Sequence, residues 1–207
     1  MHLDAKTIQA AAGVSAELAK RLAEPMAEVC RVYGINTPKR QAAFIAQTAH
    51  ESAGFTRLAE NLNYSENGLL RTWPNRFTAE QARQYARRPE AIANYVYGGR
   101  LGNKEPGDGW RYRGRGWIMI TGRANYAGIT RLLREKCQSA PDLEDQPELL
   151  ETMHWAAMSA GSYWDDHNLN VLADRGDFAG ITRRINGGIN GAADRNARYA
   201  AALRALQ

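Results

Sequence analysis

The sequence holds little that would assign it to a specialised class. Its two cysteines are too few for a disulfide framework and form no CxxC pair. Cys30 and Cys137 sit in helical-looking segments (EVCRVYG and REKCQS) and read as thiols packed like small hydrophobes. No run of about 18 apolar residues occurs, so no membrane-spanning helix is expected. The N-terminal MHLDAKTIQAAAGVSAE has an acid at Asp4 and lacks the apolar stretch of a secretory signal. Synthesis in a cytoplasm is therefore expected, with release left to another agent if the target lies outside. The four histidines show no ligand spacing: His50-Glu51 begins like an HExxH zinc helix, but Gly54 stands where the second histidine belongs. No metal and no organic cofactor is expected.

What is present fits one domain, or one domain in two lobes. A chain of 207 residues can bury a substantial core, and 44% hydrophobic with 24% charged residues is ordinary for a globular protein. The first third reads as helix. Asp4 caps a helix ended by Gly13, and Ser15 opens another to about Ala23 that Pro25 breaks or restarts. Thr37-Pro38 opens a third, whose Ala42, Ile45, Ala46 and Ala49 imply close packing on other helices before Gly54 stops it. Residues 62–97 read as a small lobe of two or three short helices, one opened by the capping box Thr78–Gln81 and one by Pro89. Residues 98–122, dense in glycine and aromatics, read as a loop with a short hairpin or strand at Trp117–Ile120. Helices are expected again at 123–136, 147–165, 177–186 and 192–205.

Within AQTAHESAGFTRLAENLNYS, Glu60 follows Glu51 by nine residues. In one continuous helix the two acids would lie about half a turn apart and face opposite ways. A stop at Gly54 with a turn through Ser52–Phe55 lets the chain fold back and bring Glu60 to the same cleft. Glu51 ends an apolar helix, where desolvation favours a proton-holding acid, whereas Glu60 has Asn61, Asn63 and Tyr64 for company, as suits a base. Two carboxyls in unequal surroundings are what glycoside hydrolysis uses. The spacing alone fits two surface glutamates near a helix end better than a catalytic pair.

Four segments in order, TAHESAGF, ENLNYS, YRGRGWIMITGRANY and INGGINGAADRNARY, resemble the glycoside hydrolase family 19 chitinases. The likeness is greatest to the phage and prophage endolysins of that family, which act as lysozymes on peptidoglycan. It runs from about Pro38 to the C-terminus. It implies a mainly α, lysozyme-like fold with two lobes flanking a cleft, and an inverting mechanism. By that resemblance Glu51 is the general acid, Glu60 the base that activates water, and Thr121 the residue that helps hold the water. Asn186 would contact substrate, and Arg195 would stand near the acid pair, where its charge favours an ionised carboxylate. An inverting pair needs ~6.5–9.5 Å between its carboxyls to admit water. Local alternatives are a helix cap at Thr121, a helix C-cap at Asn186-Gly187-Gly188, and an ordinary ion-paired Arg195.

Two departures from the chitinases favour peptidoglycan. Met119-Ile120-Thr121 stands where they usually carry Gln-Leu-Ser/Thr, and the two acids are closer in sequence than in plant members. Trp110, Tyr112 and Tyr64 are candidates to stack on sugars, Trp117 reads as an anchor for the loop, and Trp73 either holds the small lobe or lines the far wall. Asn63 is expected to support Glu60. The formal charge of +5 suits an anionic polymer, and the Arg111, Arg113 and Arg115 alternation with aromatics could equally line a nucleic-acid groove. Peptidoglycan is the expected partner, with no nucleic acid, a monomeric state, and action in the periplasm after a separate protein permeabilises the membrane. The rivals are a lytic transglycosylase, a chitinase and a non-catalytic glycan- or nucleic-acid-binding protein.

Overall fold

The computed structural model describes residues 3–207 as a mainly helical chain with two hydrophobic cores. Side-chain caps place most of the early helix starts. Asp4 accepts from the Thr7 N–H at 2.8 Å and opens α1 (Ala5–Ala12), which Gly13 ends in the left-handed region. Ser15 caps α2 (Ala16–Val32), and Thr37 caps α3 (Pro38–Glu51) with Pro38 in its first turn. Pro25 does not break α2, contrary to the sequence expectation. The ring removes one bond, to the carbonyl of exposed Arg21. The buried stripe Ala19, Leu22, Met26, Val29 and Cys30 continues across it and carries the helix through.

The main core is built around α3, in which every residue from Gln41 to Ala49 is buried. Its alanines let α12 (Ala192–Leu206) lie directly against it, as their size implies. The other main-lobe helices are α8 (Arg123–Lys136), α9 (Met153–Asp166), α10 (Leu169–Asp174) and α11 (Phe178–Asn186). The helix expected over 147–165 is two elements. A 3-10 turn (Pro147–Glu151) stops at Thr152, whose hydroxyl caps α9. Cys30 and Cys137 are both free, and burial pushes the Cys30 thiol up to about 12.

A second cluster, Leu62, Leu69, Phe77, Ala82, Ile92, Ala93 and Val96, forms the small lobe from α4 (Glu66–Thr72), α5 (Ala79–Tyr85) and α6 (Pro89–Tyr97). The Thr78–Gln81 capping box is formed in both directions. Trp73 holds this lobe together, its ring 5.0 Å from Tyr64 and 6.0 Å from Phe77.

Residues 98–122 contain one short helix, α7 (Asp108–Arg111), and no strand. The expected hairpin is reduced to one bridge: Arg115 and Ile120 exchange backbone bonds of 3.1 and 2.8 Å. Trp117 drives this turn, because its fully buried ring is fixed between Phe55 and Phe44 instead of alternating across a ribbon. Buried Asp108 pins the loop. It accepts from the Lys104 and Glu105 N–H groups and takes a two-pronged contact from Arg123 at 2.8 and 3.0 Å.

Arg123 first, and then those backbone donors, hold the Asp108 carboxyl below its ordinary value. The associated stability is complete above the unfolded aspartate value of about 3.9 and is lost as pH falls through the lower folded value. Asp108→Asn is therefore expected to lower the melting temperature at pH 7, with the gap to wild type narrowing below about pH 4 in a pH series of thermal melts. A gap independent of pH would contradict that assignment.

Candidate active site

Glu51 is the last residue of α3, and the chain reverses immediately after it. Ala53, Gly54 and Phe55 are consecutive left-handed residues, at φ +50°, +70° and +63°. Two of the three carry side chains and are strained there. Ser52 holds the turn, its hydroxyl accepting from the Phe55 N–H at 3.0 Å and donating to the Thr48 carbonyl at 2.6 Å. Phe55 then locks it by packing edge-on against Trp117, ring centres 4.8 Å apart. The expected turn is present, and Trp117 is the anchor it was read as.

The returning segment delivers Glu60 to Gly114. Their backbones and side chain meet twice: the Glu60 N–H donates to the Gly114 carbonyl at 2.9 Å, and the Gly114 N–H donates to Glu60 Oε1 at 2.6 Å. The Tyr97 hydroxyl, from the end of α6, donates to Glu60 Oε2 at 2.8 Å. Burial, and then the Glu60 charge, push the Tyr97 phenol well above its usual value, so it stays a donor. Both carboxylate oxygens are thus held by neutral donors from two different segments. Thr121 is beside them: a Cβ placed on Gly114 would lie 3.1 Å from Thr121 Oγ1 and 3.4 Å from the Glu60 carboxyl carbon. Thr121 does not cap α8; Gly122 occupies that position, and the Thr121 hydroxyl donates to the Met119 carbonyl at 2.9 Å. Its lone pairs remain to accept from a water next to Glu60.

Arg195 lies on Glu51, not on Glu60. It is almost wholly buried and donates to Glu51 Oε1 at 2.5 Å, to Gln47 Oε1 and to the Asn190 carbonyl. Gln47 and Glu51 are one helical turn apart on α3, so one guanidinium spans both. The apolar surroundings expected for Glu51 are corrected by this contact: the acid ends an apolar helix but faces a buried cation. Next to it, His50 Nδ1 meets Asp194 Oδ2 at 2.6 Å. Asp194 is held below its ordinary value by His50 first and Arg198 second. The ring of His50 lies where a Cβ on Gly191 would clash at 2.4 Å. His50 therefore clamps the first turn of α12 to the last turn of α3.

Asn186 ends α11, and left-handed Gly187 caps that helix as the Asn-Gly-Gly pattern allows. The Asn186 Nδ2 is nonetheless buried and has no protein partner, a donor left for something else. Tyr64 is half-buried in the small lobe against Trp73. Three candidates have partners of their own. Tyr112 is buried in the main core, donating to the Glu144 carbonyl and packed on Tyr126, so it has no free face for a sugar. Trp110 has Arg113 on one ring face at 3.9 Å and lines a separate hollow with Arg88 and Asn94 of α6. Asn63 is exposed, and its hydrogen bonds run to Asn61 and Arg87 through its backbone. Sequence reading missed Tyr97 and Gly114 as partners of Glu60. The RGRG pattern around Gly114 was the available signal for a close approach, and Tyr97 had none.

No protein-family model matches the chain. A Haemophilus influenzae protein described as "Glycosyl hydrolase family 19 domain-containing protein" is 42% identical over 167 residues, which is 79% of this chain and 78% of that protein. The chain belongs to glycosyl hydrolase family 19. Among solved structures, a chitinase C mutant superposes with a TM-score of 0.62 at 19% identity, over 99% of this chain and 76% of the other. That likeness is one of fold, and the mainly α, lysozyme-like architecture of a family 19 enzyme is what the helices build. The protein is a glycoside hydrolase. Among the described residues no helix is long and apolar enough to cross a membrane.

For this family 19 enzyme, Tyr97→Phe removes one donor from an ionised carboxylate, an interaction of roughly 1.5–3 kcal/mol. The expected result is a kcat about ten- to a hundred-fold lower, with KM little changed, in steady-state assays on soluble glycan. A kcat equal to wild type would show that the contact does not support the reaction.

Proposed function

We propose that the chain is a peptidoglycan-degrading endolysin of the lysozyme type. It hydrolyses the β-1,4 bond between N-acetylmuramic acid and N-acetylglucosamine. The observation that carries the reading is the grip on Glu60 by Tyr97 and Gly114, with the Thr121 hydroxyl beside it. A carboxylate fixed at both oxygens next to a second acceptor is a site for polarising one water. In this reading Glu51 gives its proton to the glycosidic oxygen as the C–O bond breaks. Arg195, 2.5 Å from Glu51 Oε1, then stabilises the carboxylate left behind. Glu60 takes a proton from the water as its oxygen bonds to the anomeric carbon from the opposite face, inverting that centre. The unpartnered Asn186 amide and Tyr64 are assigned to substrate contact.

A net charge of +5 favours an anionic wall polymer, and Met119-Ile120-Thr121 lacks the amide that the chitinases offer there. Synthesis in a host cytoplasm follows in this reading. A separate membrane-permeabilising protein then gives access to the wall in the periplasm, where the enzyme acts as a monomer. A lytic transglycosylase, the main alternative, uses the sugar's own hydroxyl in place of water and has no use for a held base.

Purified peptidoglycan digested by wild type and by Glu60→Gln, with mass spectrometry of the products, separates these cases. Reducing muropeptides from wild type and at least a hundred-fold fewer from the variant are expected, on the order of a lost general base. Anhydro-muropeptides that persist in the variant would identify a transglycosylase. Turnover of chitin oligosaccharides with intact peptidoglycan left uncut would move the assignment to chitin.

A further inference from the structure

Gln47 is wholly buried one helical turn before Glu51, and its neighbours set which way its amide faces. The Thr182 hydroxyl donates to the Phe178 carbonyl at 3.2 Å, so towards Gln47 it only accepts. Gln47 Nε2 donates to it at 2.8 Å. That leaves Gln47 Oε1 turned to Arg195, whose Nη1 donates to it. A hydroxyl on α11 therefore decides which end of the amide meets the guanidinium.

This meeting has a consequence for Glu51. A guanidinium grips a carboxylate with two parallel N–H bonds along one of two edges, Nη1 with Nη2 or Nε with Nη2. In Arg195 a neutral acceptor interrupts each edge. Gln47 takes Nη1, and the Asn190 carbonyl takes Nε at 3.2 Å. Only Nη2 is left for the acid, and it donates to Glu51 Oε1 at 2.5 Å. Among the described residues nothing donates to Glu51 Oε2. The other titratable and charged groups nearby are engaged elsewhere. His50 of α3 meets Asp194 of α12, which also accepts from Arg198. Tyr163 of α9 donates to the Arg184 carbonyl, and the Arg184 guanidinium donates to the His167 carbonyl.

We propose that Gln47 is a positioning residue for the catalytic acid. By occupying Nη1 it keeps Arg195 from closing on Glu51 with two bonds, and so leaves Oε2 to carry the proton for the glycosidic oxygen. A two-bonded pair would favour the ionised carboxylate, which has no proton to give. A one-bonded Arg195 still meets the carboxylate that the reaction leaves. Thr182 serves the same end by fixing the amide. The inference rests on the assignment of Glu51 as general acid made above.

The test is the pH profile of kcat/KM on soluble glycan strands, whose alkaline limb follows loss of the acid's proton. Gln47→Leu frees Nη1 to close on Glu51. Its alkaline limb is expected about one unit lower in pH, which is a loss of about ten-fold on that limb. Thr182→Val releases the amide to turn and is expected to move the limb the same way, whereas Thr182→Ser keeps the hydroxyl and the wild-type profile. Gln47→Glu keeps an acceptor on Nη1 and adds negative charge, so its limb is expected at higher pH. An alkaline limb unmoved in Gln47→Leu and Thr182→Val, whatever the fall in kcat/KM, would overturn the assignment and leave Gln47 a packing residue. Activity that survives in Glu51→Gln would instead overturn the acid assignment beneath it.

Discussion

A buried guanidinium is the constraint on which the rest of this structure depends. Arg195 is 2% exposed, and a charge so far from water must be matched by oriented acceptors. It finds them in Gln47, Glu51 and the Asn190 carbonyl, which fixes the start of α12 against one face of α3. Gln47 passes the constraint on through a 2.8 Å bond to Thr182 of α11. Three helices thus meet where Glu51 is placed, and the alanines of α3 allow them to approach closely enough to do so. The His50–Asp194 contact closes the same junction from the solvent side.

The second constraint is geometric. A continuous helix would turn residues 51 and 60 to opposite sides, and the chain instead turns back through three left-handed residues. The strain of Ala53 and Phe55 is offset by burial of Phe55 on Trp117 and by the Ser52 hydroxyl. Trp117 belongs to the same loop that carries Gly114 and Thr121. One buried indole therefore fixes both the turn that brings Glu60 back and the loop that receives it. The second acid is gripped from both lobes, by Tyr97 of the small one and Gly114 of the loop.

Features written in neighbouring residues were legible in the sequence. Caps at Asp4, Ser15, Thr37 and Thr78, the stop at Gly54 and the small lobe all follow from local chemistry, and so does the anchoring role of Trp117. What could not be read depended on partners distant in the chain. Trp110 and Tyr112 have the residue type and loop setting expected of sugar platforms, but only the fold shows that Tyr112 packs on Tyr126 and Trp110 on Arg113. Tyr97 is 37 positions from Glu60, and nothing around it announces the contact. Pro25 misled because its cost is one local hydrogen bond, whereas the buried stripe that overrides it is set by tertiary packing.

The central claim is that Glu51 and Glu60 face opposite sides of one glycosidic bond with a single water held at Glu60 and Thr121. The stereochemistry of the first product tests this most directly. Proton NMR of a fresh digest of soluble glycan strands, recorded before mutarotation, reports the anomer released at the new reducing end. The account predicts the α-anomer from the β-linked substrate. Release of the β-anomer would contradict it, since retention requires a nucleophile, or the substrate itself, in place of the water that this account assigns to Glu60.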